Sequence, residues 1–192
     1  MLRPADNPFA AQRIDAMRYE LRGMRWDDLL ARLERLNRRA AIIGPHGSGK
    51  TTLMEALGHR LASDGWDIRL HRLRRDDRVV PRTFTAWLAP ATILLLDSAG
   101  CLGPAGWLAL LRRSAGAGGL IVTAHRRMLL PTLIRTSVDA PMMARLVERL
   151  VGGPSPWSAG ELAAMLRARQ GNARQVLRDL YDRCARSSMT AV

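Results

Sequence analysis

The sequence predicts an α/β fold, a three-layer sandwich built on a parallel five-stranded sheet and followed by a small C-terminal helical lid. Three observations predict it. Short apolar runs of strand length alternate with segments of helical period, which is the pattern of repeated βαβ units. A glycine-rich stretch, 44–49, joins the first apolar run to the first helical one. Beyond Asp139 only helical periodicity remains, so residues 1–139 are expected to form the core domain and residues 140–192 the lid.

The elements follow in order. Ala40–Ile43 reads as a short buried strand, and Leu53, Met54, Leu57 and Leu61 recur at helical spacing in the segment 52–63. Residues 66–73 alternate in polarity and suit a sheet edge, whereas 91–97 and 119–124 are apolar runs suited to burial on both faces. Residues 132–138 complete the sheet, and 81–88 and 103–113 are expected as crossover helices. In the lid, Met143, Leu146, Val147 and Leu150 form one stripe, and Gly152–Pro156 interrupts it. Ser158 and Glu161 make a capping box for a helix with Leu162, Met165 and Leu166 inward. Gly171 ends that helix, and Asn172 caps a last one carrying Val176, Leu177, Leu180 and Tyr181.

The chain has 192 residues, 47% of them hydrophobic and 24% charged, which excludes disorder as its main state. Its longest strongly apolar stretch, Ala86–Leu96, falls far short of the roughly 20 residues a membrane helix needs, so no membrane partner is expected. Residues 1–15 lack the apolar centre of a signal peptide. Cys101 and Cys184 stand far apart in no metal-binding spacing, which fits a cytoplasmic protein without disulfides. The formal net charge is +13, and of the 30 basic residues only Lys50 is lysine. Arginines so spread along the chain are either a solvated surface or a face for a polyanion such as DNA.

Lys50 stands in Gly44-Pro45-His46-Gly47-Ser48-Gly49-Lys50-Thr51-Thr52, the full pattern of a phosphate-binding P-loop, with a strand before it and a helix after it. Gly44, Gly47 and Gly49 let the backbone turn its N–H groups inward around a phosphate, and the helix beginning near Gly49 aims its positive end at the same anion. In this reading Lys50 reaches the β- and γ-phosphates, a slot too narrow for an arginine fork. Thr51 ligates Mg²⁺, and Thr52 touches the α-phosphate. Asp97 ends an apolar strand at the sheet edge where ligands of open α/β sheets bind, and is the second candidate to hold Mg²⁺. Thr123, His125 and Arg126 end the neighbouring buried strand at that same edge.

Gly171-Asn172-Ala173-Arg174 looks like the sensor 2 motif of AAA+ ATPases. With Gly44–Thr51, Asp97 and a polar residue closing the next strand, the chain resembles a minimal AAA+ ATPase or the related STAND signalling ATPases. The resemblance runs from Asn7 to about Arg183. It implies a P-loop NTPase core that binds ATP. It also implies that Arg174 reads the γ-phosphate from the lid, that Thr123 or His125 takes the sensor 1 place, and that Asn7–Phe9 and a helix around 14–21 cover the adenine. A guanidinium binds phosphate bidentately and keeps its charge, so a lid bearing one converts nucleotide state into domain angle.

One departure matters. AAA+ enzymes usually carry Glu directly after the strand-end Asp, where this chain has Ser98, and from Ser98 to Val138 there is no Asp or Glu at all. No general base is therefore evident in cis. The expectation is a nucleotide-dependent switch or slow ATPase for a protein or DNA partner, or for a second copy of itself. His125 is read either as a group that orients water or as a structural histidine. The same acid-free stretch carries Arg112, Arg113, Arg126, Arg127 and Arg135, of which Arg126 or Arg135 could serve a neighbouring subunit as an arginine finger. Two alternatives remain: a P-loop kinase passing the γ-phosphate to a small molecule, and a DNA-associated ATPase recognised by salt-sensitive binding.

Overall fold

A computed structural model describes residues 6–187. Its elements are α1 (Ala11–Asp15), α2 (Trp26–Arg35), β1 (Arg39–Ile43), α3 (Lys50–Ser63), β2 (Asp67–Arg72), β3 (Thr92–Asp97), α4 (Pro104–Arg113), β4 (Gly119–Ala124), β5 (Thr132–Arg135), α5 (Ala140–Val151), α6 (Ala159–Ala168) and α7 (Ala173–Ser187). They belong to two compact units. One holds residues 19–44 and 49–136; the other holds the described residues of 6–18, together with 45–48 and 137–187.

The first unit is a parallel sheet in the order β2-β3-β4-β1-β5. Strands β3 and β4 are buried throughout, as their unbroken apolar runs require, and β2 lies at the edge with its alternating pattern half exposed. Successive residues of a strand face opposite ways, so β3 serves two cores. Ile93 and Leu95 join Leu29, Leu33, Leu53, Met54, Leu57 and Leu61 from α2 and α3 on one face. Leu94 and Leu96 join Phe84, Trp107 and Leu110 on the other. These are the three layers.

Three expectations about elements are corrected. Residues 81–88 form no crossover helix; only a 3-10 turn, Arg82–Thr85, is present. Pro81 and Pro90 bracket the segment and Thr83 and Thr85 are β-branched, so its carbonyls are satisfied from outside. Arg113 supplies that satisfaction, donating to the carbonyls of Val80 at 3.1 Å and Pro81 at 2.7 Å and to Thr85 Oγ1 at 2.7 Å. The helix expected around 14–21 is absent: α1 ends at Asp15, and the longer helix α2 follows instead. Leu29 and Leu33 anchor α2 on the sheet, and the Asp28 carboxylate accepts the Arg25 N–H at 3.2 Å to cap it. Strand β5 stops at Arg135 rather than running to Val138.

The second unit is helical. Met143, Val147 and Leu150 of α5, Leu162 and Leu166 of α6, and Val176, Leu177 and Leu180 of α7 bury one core, and Phe9 from the N-terminal segment lies within it. Phe9 meets the Trp157 ring edge-on at 5.6 Å between centroids. The Asn7 amide donates to the Tyr181 carbonyl at 3.0 Å, which ties residues 7–9 to α7. Asp139 caps α5 through the Met142 N–H, and Ser158 and Glu161 form the expected capping box on α6.

Candidate active site

In the sheet unit the polar residues gather at the C-terminal ends of β1, β3 and β4. Gly44 continues β1, its N–H donating to the Ala124 carbonyl at 3.2 Å. Gly49 turns the chain into α3 with φ +84°, a left-handed conformation that favours glycine. A Cβ there would also meet the Tyr19 ring at 3.0 Å. Lys50 is thereby the first residue of α3, with 8% of its surface exposed.

The Lys50 ammonium donates to the Gly44 carbonyl at 2.8 Å and lies 3.3 Å from His125 Nδ1. That same ring nitrogen is 3.3 Å from the Gly44 carbonyl oxygen. Burial pushes the Lys50 pKa below its ordinary value, and the nearby Asp97 carboxylate acts in the opposite direction.

Asp97 is 4% exposed, and both its oxygens are engaged. Oδ2 accepts from the Thr51 hydroxyl at 2.9 Å and from Arg72 Nε at 3.0 Å. Oδ1 accepts a short hydrogen bond from the Thr123 hydroxyl. Thr123 Oγ1 in turn accepts the Ser98 N–H at 2.8 Å. Ser98 itself has φ +65°, so the chain leaves β3 through a left-handed residue directly after the carboxylate.

Arg72 was not legible as a site residue in the sequence. It ends β2 in register with Asp97, and residues paired in a parallel ladder carry their side chains on the same face. The other end of its guanidinium donates to Glu55 on α3 at 3.1 Å. The signal was present but divided, since two strands had to be known as neighbours before their last residues could be paired.

The helical unit holds the remaining site candidates. Ser48 Oγ donates to the Pro45 carbonyl at 2.8 Å, closing the turn that contains His46 and Gly47. Gly47 has φ +67°, and Asn172 Oδ1 lies where a Cβ on Gly47 would point. Asn172 also caps α7, accepting the Gln175 N–H at 3.2 Å. Arg174 is exposed in the first turn of α7. With Arg178, Tyr181, Phe9, Gln12 and Ile14 it lines a cavity of about 650 Å³. Thus the structure brings Lys50, Thr51, Asp97, Thr123 and His125 together in one unit, and places Arg174 with residues 45–48 in the other. Arg126 and Arg135 are both exposed.

Thr51 and Asp97 offer two hard oxygen donors within hydrogen-bond reach of each other, which fits Mg²⁺, an ion commonly held by one carboxylate plus phosphate oxygens. Among the described residues no group of three or more His, Cys, Asp or Glu could hold a metal ion by itself. No helix among them is long and apolar enough to cross a membrane.

No protein-family model matches the chain, and no curated protein matches it in sequence. Solved structures do match it. An arginine-to-alanine variant of Thermotoga maritima RuvB superposes with a TM-score of 0.51 at 15% identity, covering 82% of this chain and 61% of that one. NtrX from Brucella abortus in complex with ATP gives 0.51 at 17% identity, covering 88% of this chain and 51% of that one. The chain therefore spans less than two-thirds of either neighbour. The likeness is one of fold: these structures share the parallel sheet with its flanking helices and a C-terminal helical segment.

Proposed function

We propose that the chain binds ATP with Mg²⁺ and works as a slow ATPase, a nucleotide-dependent switch for a protein or DNA partner. The observation that carries this reading is the convergence of Lys50 and Thr51, at the start of α3, with Asp97 at one edge of the sheet, Gly49 entering the helix with left-handed backbone. Lys50 holds the β- and γ-phosphates in this reading, exchanging its bond to the Gly44 carbonyl for phosphate oxygens. The N–H groups of 49–51, at the start of α3, cradle the same anion in this reading. Thr51 and Asp97 hold Mg²⁺, which when bound supplies charge neutralisation at the phosphate oxygens. Arg174 is the candidate reporter of the third phosphate.

Slow turnover follows from the position after Asp97. Ser98 is no general base, and it leaves β3 with left-handed backbone. His125 is the remaining group beside Lys50 able to orient water. Positioning and electrostatics alone still accelerate phosphoryl transfer. DNA enters as a partner through the net charge of +13 and is tested by the salt dependence of binding.

The deciding experiment measures ATP binding and phosphate release for the wild type beside Lys50→Ala and Arg174→Ala. Magnesium-dependent binding abolished by Lys50→Ala, with slow release, is the expected result. Rapid turnover only on addition of small-molecule acceptors would make the chain a kinase instead.

A further inference from the structure

We infer that Arg72 is a positioning residue that competes with the divalent cation for Asp97, and that Glu55 is where its guanidinium is held when the cation wins. The inference rests on the nucleotide-binding reading and deepens it.

Three observations carry it. Oδ2 of Asp97 is the oxygen shared with Thr51, hence the one a cation held by both would use, and Arg72 Nε already occupies it at 3.0 Å. A guanidinium and a divalent cation at one carboxylate oxygen repel each other and exclude each other sterically. The two partners also differ in freedom: the Arg72 side chain is 57% exposed, whereas that of Asp97 is 6% exposed and held at Oδ1 by Thr123. Arg72 can swing away and Asp97 cannot. Finally, the guanidinium is already forked, its Nη2 lying 3.1 Å from Glu55 Oε1 on α3. Release from Asp97 leaves it paired rather than stranded.

The arrangement has opposite consequences at its two ends. Removing Arg72 frees Oδ2 and strengthens cation binding. Removing the Glu55 charge takes away the alternative partner and weakens it. If Arg72 merely pinned the edge strand β2, its loss would lower stability and leave the metal dependence where it was.

The test titrates Mn²⁺ into the full chain with a fluorescent ATP analogue. Bound manganese is read by electron paramagnetic resonance, and nucleotide affinity in EDTA serves as the metal-free baseline. Arg72→Ala should lower the half-saturating Mn²⁺ concentration roughly tenfold, Glu55→Gln should raise it, and Arg72→Lys should stay nearer the wild type than Arg72→Ala. An unchanged or weakened manganese midpoint in Arg72→Ala, with the analogue still bound, overturns this inference and leaves the nucleotide-binding reading intact. Absence of analogue binding to folded wild type in either condition overturns both. Should Arg72→Ala not fold, the opposed shifts of Glu55→Gln and Arg72→Lys decide, and a Glu55→Gln midpoint at or below the wild type overturns the inference.

Discussion

A Cβ added to Gly47 would lie 2.0 Å from Oδ1 of Asn172. The glycine therefore serves two purposes: its φ of +67° suits the turn, and its missing side chain leaves space for the residue that caps α7. Gly47→Ala should destabilise the fold by more than the roughly 1–2 kcal/mol of left-handed strain alone. Asn172→Ala should cost about 1 kcal/mol as a lost cap. Because the second change removes the clashing oxygen, the double variant should be clearly more stable than the sum of the two costs implies. Urea unfolding of the four proteins measures the coupling; strict additivity would mean that the two residues do not share this space.

Ser98 stands at φ +65°, an unfavourable conformation for any residue with a Cβ. Ser98→Gly should stabilise the protein by about 1 kcal/mol, read as a shift in the urea midpoint. Ser98→Glu places a carboxylate directly after Asp97 and, on the proposed reading, should raise phosphate release while keeping the strain. Release no faster than the wild type, in a folded variant, would count against the absent carboxylate as what limits turnover in the proposed reading.

Thr123 satisfies two buried groups at once, the Ser98 N–H and Asp97 Oδ1. Thr123→Val keeps the volume and strands both, so a loss of roughly 2–4 kcal/mol is expected. Thr123→Ser keeps the hydroxyl and should lose far less. A loss in Thr123→Val no larger than that in Thr123→Ser would show that the hydroxyl contributes no more than the methyl group.

Lys50 titrates below its ordinary range because it is buried, despite the pull of Asp97. Between the lowered folded value and the unfolded value of 10.5, the unfolded chain binds the extra proton, so stability rises with pH in that window. Below the window the buried charge is fully destabilising. Lys50→Met should therefore be more stable than the wild type at neutral pH, with the difference shrinking as pH climbs through the window, while nucleotide binding is lost. Thermal melts at a series of pH values check the sign.

Much of the fold is legible in the residues themselves. Burial on both faces demands unbroken apolar runs, so β3 and β4 could be read directly, and alternation marked β2 as the edge. The last two helices declared themselves through the Ser158–Glu161 capping box and through Asn172, whose side chains satisfy the first N–H groups locally, whereas the Asp139 cap of α5 emerged only in the structure. The glycine-rich loop 44–49, Lys50 and Asp97 were equally plain, because each is marked by near neighbours in the chain. Helix α2 was less visible: only Leu29 and Leu33 of its ten residues are buried, and five of the ten are charged. The 81–88 segment misled because Ala86, Trp87 and Leu88 look helical, whereas the carbonyls upstream are claimed by Arg113, which lies on another element.

The partners of Asp97 belong to the folded chain and not to any local pattern. Arg72 and Asp97 are separated by a long irregular connection, and what joins them is the register of β2 against β3. Periodicity reports which side of a strand is buried, but strand order sets which strand ends meet. Local residue patterns specified a glycine-rich loop between a strand and a helix, a carboxylate at a strand tip and a helical segment after the sheet. The assembled sheet alone put a guanidinium on the carboxylate oxygen next to Thr51, because that contact depends on two strands lying one ladder apart in register.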